Sequence, residues 1–365
     1  MSGDLPLRPE LVGAVPYGAP QVDVPVRLNT NENPYPPPTD VVEAAQAAVG
    51  EAVAGLNRYP DREATALRAD LAGYLSADTG VSLDVDHLWA ANGSNEVMVQ
   101  VLQAFGGPGR TAMAFTPTYS MYPEYARDTF TGFLTGRRAA DFTLRPADAA
   151  RQVRDQAPDV VFLASPNNPT GTALDHDVIE AVYESTDGVV VVDEAYGEFR
   201  RSGTPSAVEL LEGRRRLVVT RTMSKAFAFA GARVGYAAAH PSLVDALRVV
   251  RLPYHLSTLT QVVARVALAH AEHLQRDVAR LRDSRDGLVA WLRAHGFEVP
   301  DSDANFVLVG PFPDRRAVWQ ALLDRGVLVR EVGPPQWLRV TVGTEDELDR
   351  FRDALLAVTE REAGP

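Results

Sequence analysis

The sequence predicts an α/β protein: a large unit with a mainly parallel sheet sandwiched by helices, then a smaller α+β unit. Three features of the chain predict it. From about Asp40 to Val250, short β-branched runs alternate with amphipathic stretches, the pattern of a parallel sheet with helical crossovers. The next stretch, Ser257–Ala294, is Ala- and Arg-rich and carries no strand signal. Short apolar runs then return between Phe297 and Val342, interleaved with helical segments.

The elements follow in order. To about Pro38 the chain is rich in Pro and Gly around Asn29-Thr30-Asn31-Glu32-Asn33-Pro34, which reads as an extended arm. Strands are expected at Leu88–Ala91, Ala112–Phe115, Val160–Ala164, Val189–Val192, Leu217–Thr220 and Val234–Ala237. Helices are expected at Asn95–Phe105, Asp175–Ser185 and Pro241–Val250, then one long helix over Ser257–Ala294. The C-terminal unit reads as strands Phe297–Val299, Asn305–Val309, Val327–Arg330 and Leu338–Val342, with helices from Asp314 and Glu345. The expected division is an arm over 1–38, a large α/β unit over 39–256 and a small α+β unit over 257–365. Gly106-Gly107-Pro108-Gly109 lacks the spacing of a nucleotide loop and reads as a turn.

Composition narrows the function. The 365 residues are 45% hydrophobic and 23% charged, as in a soluble globular protein. A net charge of −12 argues against a nucleic-acid or anionic-membrane surface. Cysteine is absent, which removes disulfides, thiolate metal sites and cysteine nucleophiles. Met1 to Glu10 lacks the apolar core of a signal peptide, and no apolar run approaches the ~20 residues of a membrane span. The expectation is a cytoplasmic protein.

Lysine and arginine together number 36, and Lys225 is the only lysine. Arginine stays protonated at any working pH, whereas a lysine amine can lose its proton and condense with an aldehyde. A lone lysine can also be the residue of a bias toward arginine, so its neighbours decide. Asp193-Glu194-Ala195-Tyr196 ends a buried Val run, where a carboxylate is costly unless a cation partners it. Ser165-Pro166-Asn167-Asn168-Pro169-Thr170-Gly171 makes a tight loop after another strand. Gly93-Ser94-Asn95 opens a helix, which offers N–H groups and a dipole to an anion. Thr222, Ser224 and Arg233 supply hydroxyl and guanidinium donors for the same anion.

Each motif alone reads as well as a turn or an ion pair. One ligand uses all four: pyridoxal phosphate, with an aldehyde for Lys225, a ring nitrogen for Asp193, a phenolic oxygen for Asn168 and Tyr196, and a phosphate for the helix terminus and Arg233. Tyr119, in Pro117-Thr118-Tyr119, would stack on its ring. His270 and His273 stand three apart without a third ligand of matching spacing, and read as a solvated helix face rather than a metal site. Arg214-Arg215-Arg216 reads as a solvated turn. No metal is expected.

With these blocks in order, the chain resembles the fold-type I pyridoxal-phosphate aminotransferases, and among them the histidinol-phosphate aminotransferase family. Leu28–Pro34, Asn57-Arg58-Tyr59-Pro60-Asp61, Pro117–Tyr122, Ser165–Gly171, Asp193–Tyr196, Arg221–Phe227, Pro253-Tyr254-His255-Leu256-Ser257 and Leu338–Thr344 carry the likeness over nearly the whole length. His255 departs from it, standing where asparagine is more usual. The resemblance implies a seven-stranded-type sheet, a homodimer with shared sites, and an arm that joins both the small unit and the dimer interface. It implies that Tyr59 reaches the partner subunit's cofactor phosphate. Arg339 would bind the carboxylate of glutamate and the phosphate of the other substrate, with Tyr17, Asn31 and Arg330 lining that pocket. The implied reaction is reversible amino transfer between L-histidinol phosphate and 2-oxoglutarate, giving imidazole-acetol phosphate and L-glutamate. An aminotransferase for aromatic amino acids and a pyridoxal-phosphate lyase acting on a phosphorylated amino acid remain the competing readings.

Overall fold

Seven strands form one sheet, and their order brings the polar ends of four of them to a common edge. The computed structural model describes residues 5–362. The outermost residues of the expected arm and C-terminal unit, 1–4 and 363–365, lie outside the described residues. The arm contributes β1 (Val26–Leu28). The sheet comprises β2 (Leu88–Ala91), β3 (Thr111–Thr116), β4 (Gly132–Arg137), β5 (Val160–Ala164), β6 (Val189–Asp193), β7 (Leu217–Thr222) and β8 (Gly235–Ala239). Its spatial order is β2-β8-β7-β6-β5-β3-β4. Pairings from β7 through β4 are parallel, while β8 runs antiparallel to both β2 and β7.

Burial on both faces explains the central composition. Every residue of β5 and β6 is buried, so neither strand alternates with polar residues. Val189 and Val191 join Phe162 and Leu247 in the core on one face, whereas Val190 and Val192 join Leu163 and Phe199 on the other. By the same alternation Asp193 points to the Val191 face.

Three expectations are corrected. β4 was not foreseen, because it is an edge strand, partly exposed, with two glycines. Gly136 is required there: a Cβ would lie 2.5 Å from the Phe115 ring. The long helix is two helices, Thr258–Ala269 and Ala271–Ala294. They break at His270, which leaves helical geometry (φ −112°, ψ 22°) and whose Nδ1 bonds the Val266 carbonyl at 2.9 Å. The strand expected at Phe297–Val299 is only a bridge between Glu298 and Gly310.

Beyond the two helices, β9 (Phe306–Val309), β10 (Val327–Val329) and β11 (Leu338–Thr341) form two small sheets. β11 pairs antiparallel with β9, and β10 pairs parallel with β1 of the arm. An Arg330–Arg339 bridge joins β10 to β11. This pairing brings residues 29–31, just past β1, beside Arg339. Among the described residues no helix is long and apolar enough to cross a membrane.

Candidate active site

The C-terminal ends of β5, β6 and β7 open into a cavity of about 260 Å³. Ligands of open parallel sheets bind at such strand ends. Lys225 lies three residues past β7, and its Nζ donates to the Thr30 carbonyl at 3.0 Å. Burial, with Arg339 and Arg233 nearby, lowers this amine from 10.5 to about 8, although Glu32 opposes the shift. An amine so placed is a usable nucleophile and base near neutral pH.

Asp193, the last residue of β6, faces the same cavity. No cation of the protein pairs with it among the described residues. Three neutral donors hold it: the Tyr122 hydroxyl at 2.9 Å, the Thr220 hydroxyl at 3.2 Å and the Ala195 amide at 3.2 Å. Burial raises its pKa, and the hydrogen bonds work against that rise. Glu194 turns to the opposite face and pairs with Arg221 at 2.9 Å inside a buried ionic cluster.

An anion seat stands at one end. The helix Ser94–Phe105 points its N-terminus at the cavity through Ser94 and Asn95. Gly93 caps it with φ 80°, and a Cβ there would lie 2.7 Å from the Arg233 guanidinium. Glycine therefore lets the cation approach the helix end. Arg233 donates to Ser224 Oγ at 3.3 Å, and Thr222 Oγ1 donates to the same oxygen at 3.0 Å.

At the other end lies a second cation. Arg339 is buried; its Nη1 donates to Asn168 Oδ1 at 2.7 Å and its Nη2 to the Asn29 carbonyl at 2.8 Å. Its Nε is buried without a hydrogen-bond partner among the described residues. Burial first, with Arg330 nearby, lowers the guanidinium to about 10, although Tyr196, Tyr17 and Tyr119 oppose the shift. Asn168 also donates to the Tyr196 hydroxyl at 3.4 Å. Arg330 donates to the Gly18 carbonyl at 3.2 Å, and Tyr17 stands half-exposed at the rim. Asn31 is buried, with Nδ2 on Tyr196 and Oδ1 on Thr341, so both ends of its amide are engaged. Tyr119 lines the wall.

Two residues behave differently. Tyr59 is 79% exposed, outside its own chain's cavity, and stacks on Tyr254 with ring centroids 4.3 Å apart. His255 stays clear of the cavity wall as well: its ring stacks on Trp89, and its Nε2 bonds the Ala90 carbonyl at 2.9 Å.

The chain matches the family described as aminotransferase class I and II over residues 23–355. It is 62% identical to the histidinol-phosphate aminotransferase of Thermobifida fusca, covering 98% of this chain and 96% of that protein. The chain belongs to the histidinol-phosphate aminotransferase family. The family's enzyme from Frankia casuarinae is 58% identical over 96% of this chain and 89% of its own length. The crystal structure of the Sinorhizobium meliloti enzyme, in complex with pyridoxal-5'-phosphate, superposes with a TM-score of 0.88. It covers 99% of this chain and 100% of that one at 22% identity, a likeness of fold. The chain is thus an enzyme with the fold-type I architecture.

Sequence reasoning missed Tyr122, Thr220 and the Thr30 carbonyl. Thr220 pairs in register with Asp193 across β6 and β7, a relation invisible until the strand pairing is known. Tyr122 closes the segment Pro117–Tyr122, and nothing in its spacing points to Asp193.

Proposed function

We propose that the enzyme binds pyridoxal 5'-phosphate and transfers an amino group reversibly between L-histidinol phosphate and 2-oxoglutarate, giving imidazole-acetol phosphate and L-glutamate, in L-histidine biosynthesis. The observation that carries the cofactor reading is the pairing, in one cavity, of the chain's only lysine with a buried carboxylate that has no cationic partner among the described residues. The donor set fits every part of the group. Lys225 would take the aldehyde, Asp193 the ring nitrogen, and Asn168 and Tyr196 the phenolic oxygen. Gly93, Ser94, Asn95, Thr222, Ser224 and Arg233 would hold the phosphate, and Tyr119 would cover the ring.

When bound, pyridoxal phosphate supplies an electron sink for the carbanion at the substrate's α-carbon. The protein supplies the rest. Lys225 Nζ, whose pKa is lowered to about 8 so that a fraction of it is unprotonated near neutral pH, would accept the α-proton and hand it on in the transfer. Arg339 offers an uncompensated buried cation to a carboxylate or a phosphate. Arg330 and Tyr17 stand at the mouth to guide it.

The same reading makes the enzyme a cytoplasmic homodimer divided as 1–38, 39–256 and 257–365. Its support as a dimer is the exposure of large apolar side chains, Tyr59, Leu56, Val249 and Leu252, on the surface of the single chain. Product analysis tests the function. Purified enzyme given pyridoxal phosphate, L-histidinol phosphate and 2-oxoglutarate should form L-glutamate and imidazole-acetol phosphate. Faster glutamate formation from phenylalanine, or carbon dioxide release from threonine phosphate without a 2-oxo acid, contradicts it.

A further inference from the structure

Tyr122 opens the short helix Tyr122–Asp128 and is fully buried. Its ring lies flat on Phe162 of β5, centroids 4.7 Å apart and planes within 9°. On another side it meets the Tyr119 ring edge-on at 5.5 Å. So clamped, the ring has one direction for its hydroxyl, and that direction ends at Asp193 Oδ2, 2.9 Å away.

The other carboxylate oxygen is held separately. Thr220 Oγ1 and the Ala195 amide both donate to Oδ1 at 3.2 Å. A carboxylate has about four lone-pair sites, so three donors fix its plane and leave Oδ2 able to accept once more. Asp193 lines the cavity, which is where that remaining site must be used. Burial alone favours the neutral acid, and a hydrogen bond to the ionised form opposes it. The phenol is a dependable donor here, because burial and the adjacent carboxylate keep its own proton in place.

We propose that Tyr122 is a positioning residue whose hydroxyl fixes Asp193 Oδ2 and keeps that carboxylate ionised and aimed at the cofactor's ring nitrogen. The inference rests on pyridoxal phosphate occupying this cavity. It gives one buried side chain two duties: Tyr122 orients the carboxylate at the cofactor's edge, and its ring packs against Tyr119 at the cofactor's face. An ordinary core tyrosine would serve equally well as phenylalanine, and that contrast defines the test.

Dissociation constants are measured for the parent and Tyr122→Phe with two probes. One is pyridoxal phosphate; the other is its deaza analogue, with C–H in place of the ring nitrogen. A hydrogen bond to a charged group implies about a tenfold loss of pyridoxal phosphate affinity in the variant. Affinity for the analogue, which asks nothing of Asp193, should move less than about twofold. The variant's kcat should fall while its KM for histidinol phosphate holds. Thr220→Val, which removes a donor from the other oxygen, should discriminate between the probes in the same sense and serves if Tyr122→Phe folds poorly. Equal losses for both probes, or none for either, overturn the inference and leave the proposed function standing. A parent that fails to bind pyridoxal phosphate overturns both.

Discussion

Arg339 reaches from β11 to the loop after β5, where its Nη1 donates to Asn168 Oδ1 at 2.7 Å. Its Nη2 holds the Asn29 carbonyl of the arm at 2.8 Å. One guanidinium therefore joins the arm, the central sheet and the C-terminal unit, and among the described residues no carboxylate pairs with it. That is the arrangement expected of a cation kept for a substrate anion.

Arg339→Gln should lower kcat/KM by roughly 100-fold for both L-glutamate and L-histidinol phosphate, since a buried charged contact is lost in each half-reaction. Steady-state kinetics with each substrate varied in turn provide the check. A loss confined to one substrate would assign Arg339 to that substrate alone.

Lys225→Arg should reduce turnover by more than about 1,000-fold, because guanidinium neither condenses with an aldehyde nor accepts a proton at working pH. Single-turnover measurement with histidinol phosphate reads the effect without product inhibition. Turnover at the parent rate would remove the amine from the chemistry.

The lowered lysine pKa sets a pH dependence. In the unfolded chain this amine stays protonated to its ordinary value of 10.5, and in the folded protein it releases its proton near 8. The unfolded state thus binds more protons between those values, so this group's contribution to stability rises with pH across that window. Lys225→Met should therefore raise the melting temperature of the cofactor-free protein at pH 7, with the gain shrinking between pH 8 and 10.5. The rate of pyridoxal phosphate capture by the parent should climb through pH 8 as the free amine accumulates, a change that stopped-flow absorbance can follow.

Tyr59 tests the shared site. Tyr59→Ala and Lys225→Ala chains, mixed and refolded together, should recover toward about a quarter of the parent activity, the share of intact sites in random symmetric pairing. Assay of the mixture against each variant alone measures it. No recovery would place Tyr59 outside the partner's site.

Much of this site was legible because its groups lie beside strand ends, where sequence pattern is strongest. The Val run of β6 points to Asp193, and the segment after β7 points to Lys225 and Arg233. What escaped depends on register and long-range packing. Thr220 meets Asp193 only through the β6–β7 pairing, and Tyr122 only through its stack on Phe162. The amide of Asn31 turned out to serve Tyr196 and Thr341, since β1 pairs with β10 in a way no local pattern encodes. β4 hid for a local reason: an edge strand with glycines at two positions carries little β signal.

The most direct test of the central claim is the visible absorption of the cofactor-loaded enzyme, titrated separately with L-histidinol phosphate and L-phenylalanine. The band of the lysine-bound cofactor should vanish at far lower concentrations of histidinol phosphate, and 2-oxoglutarate should restore it. An equal or stronger response to phenylalanine would contradict the substrate assignment. Absence of any such band would contradict the role of Lys225.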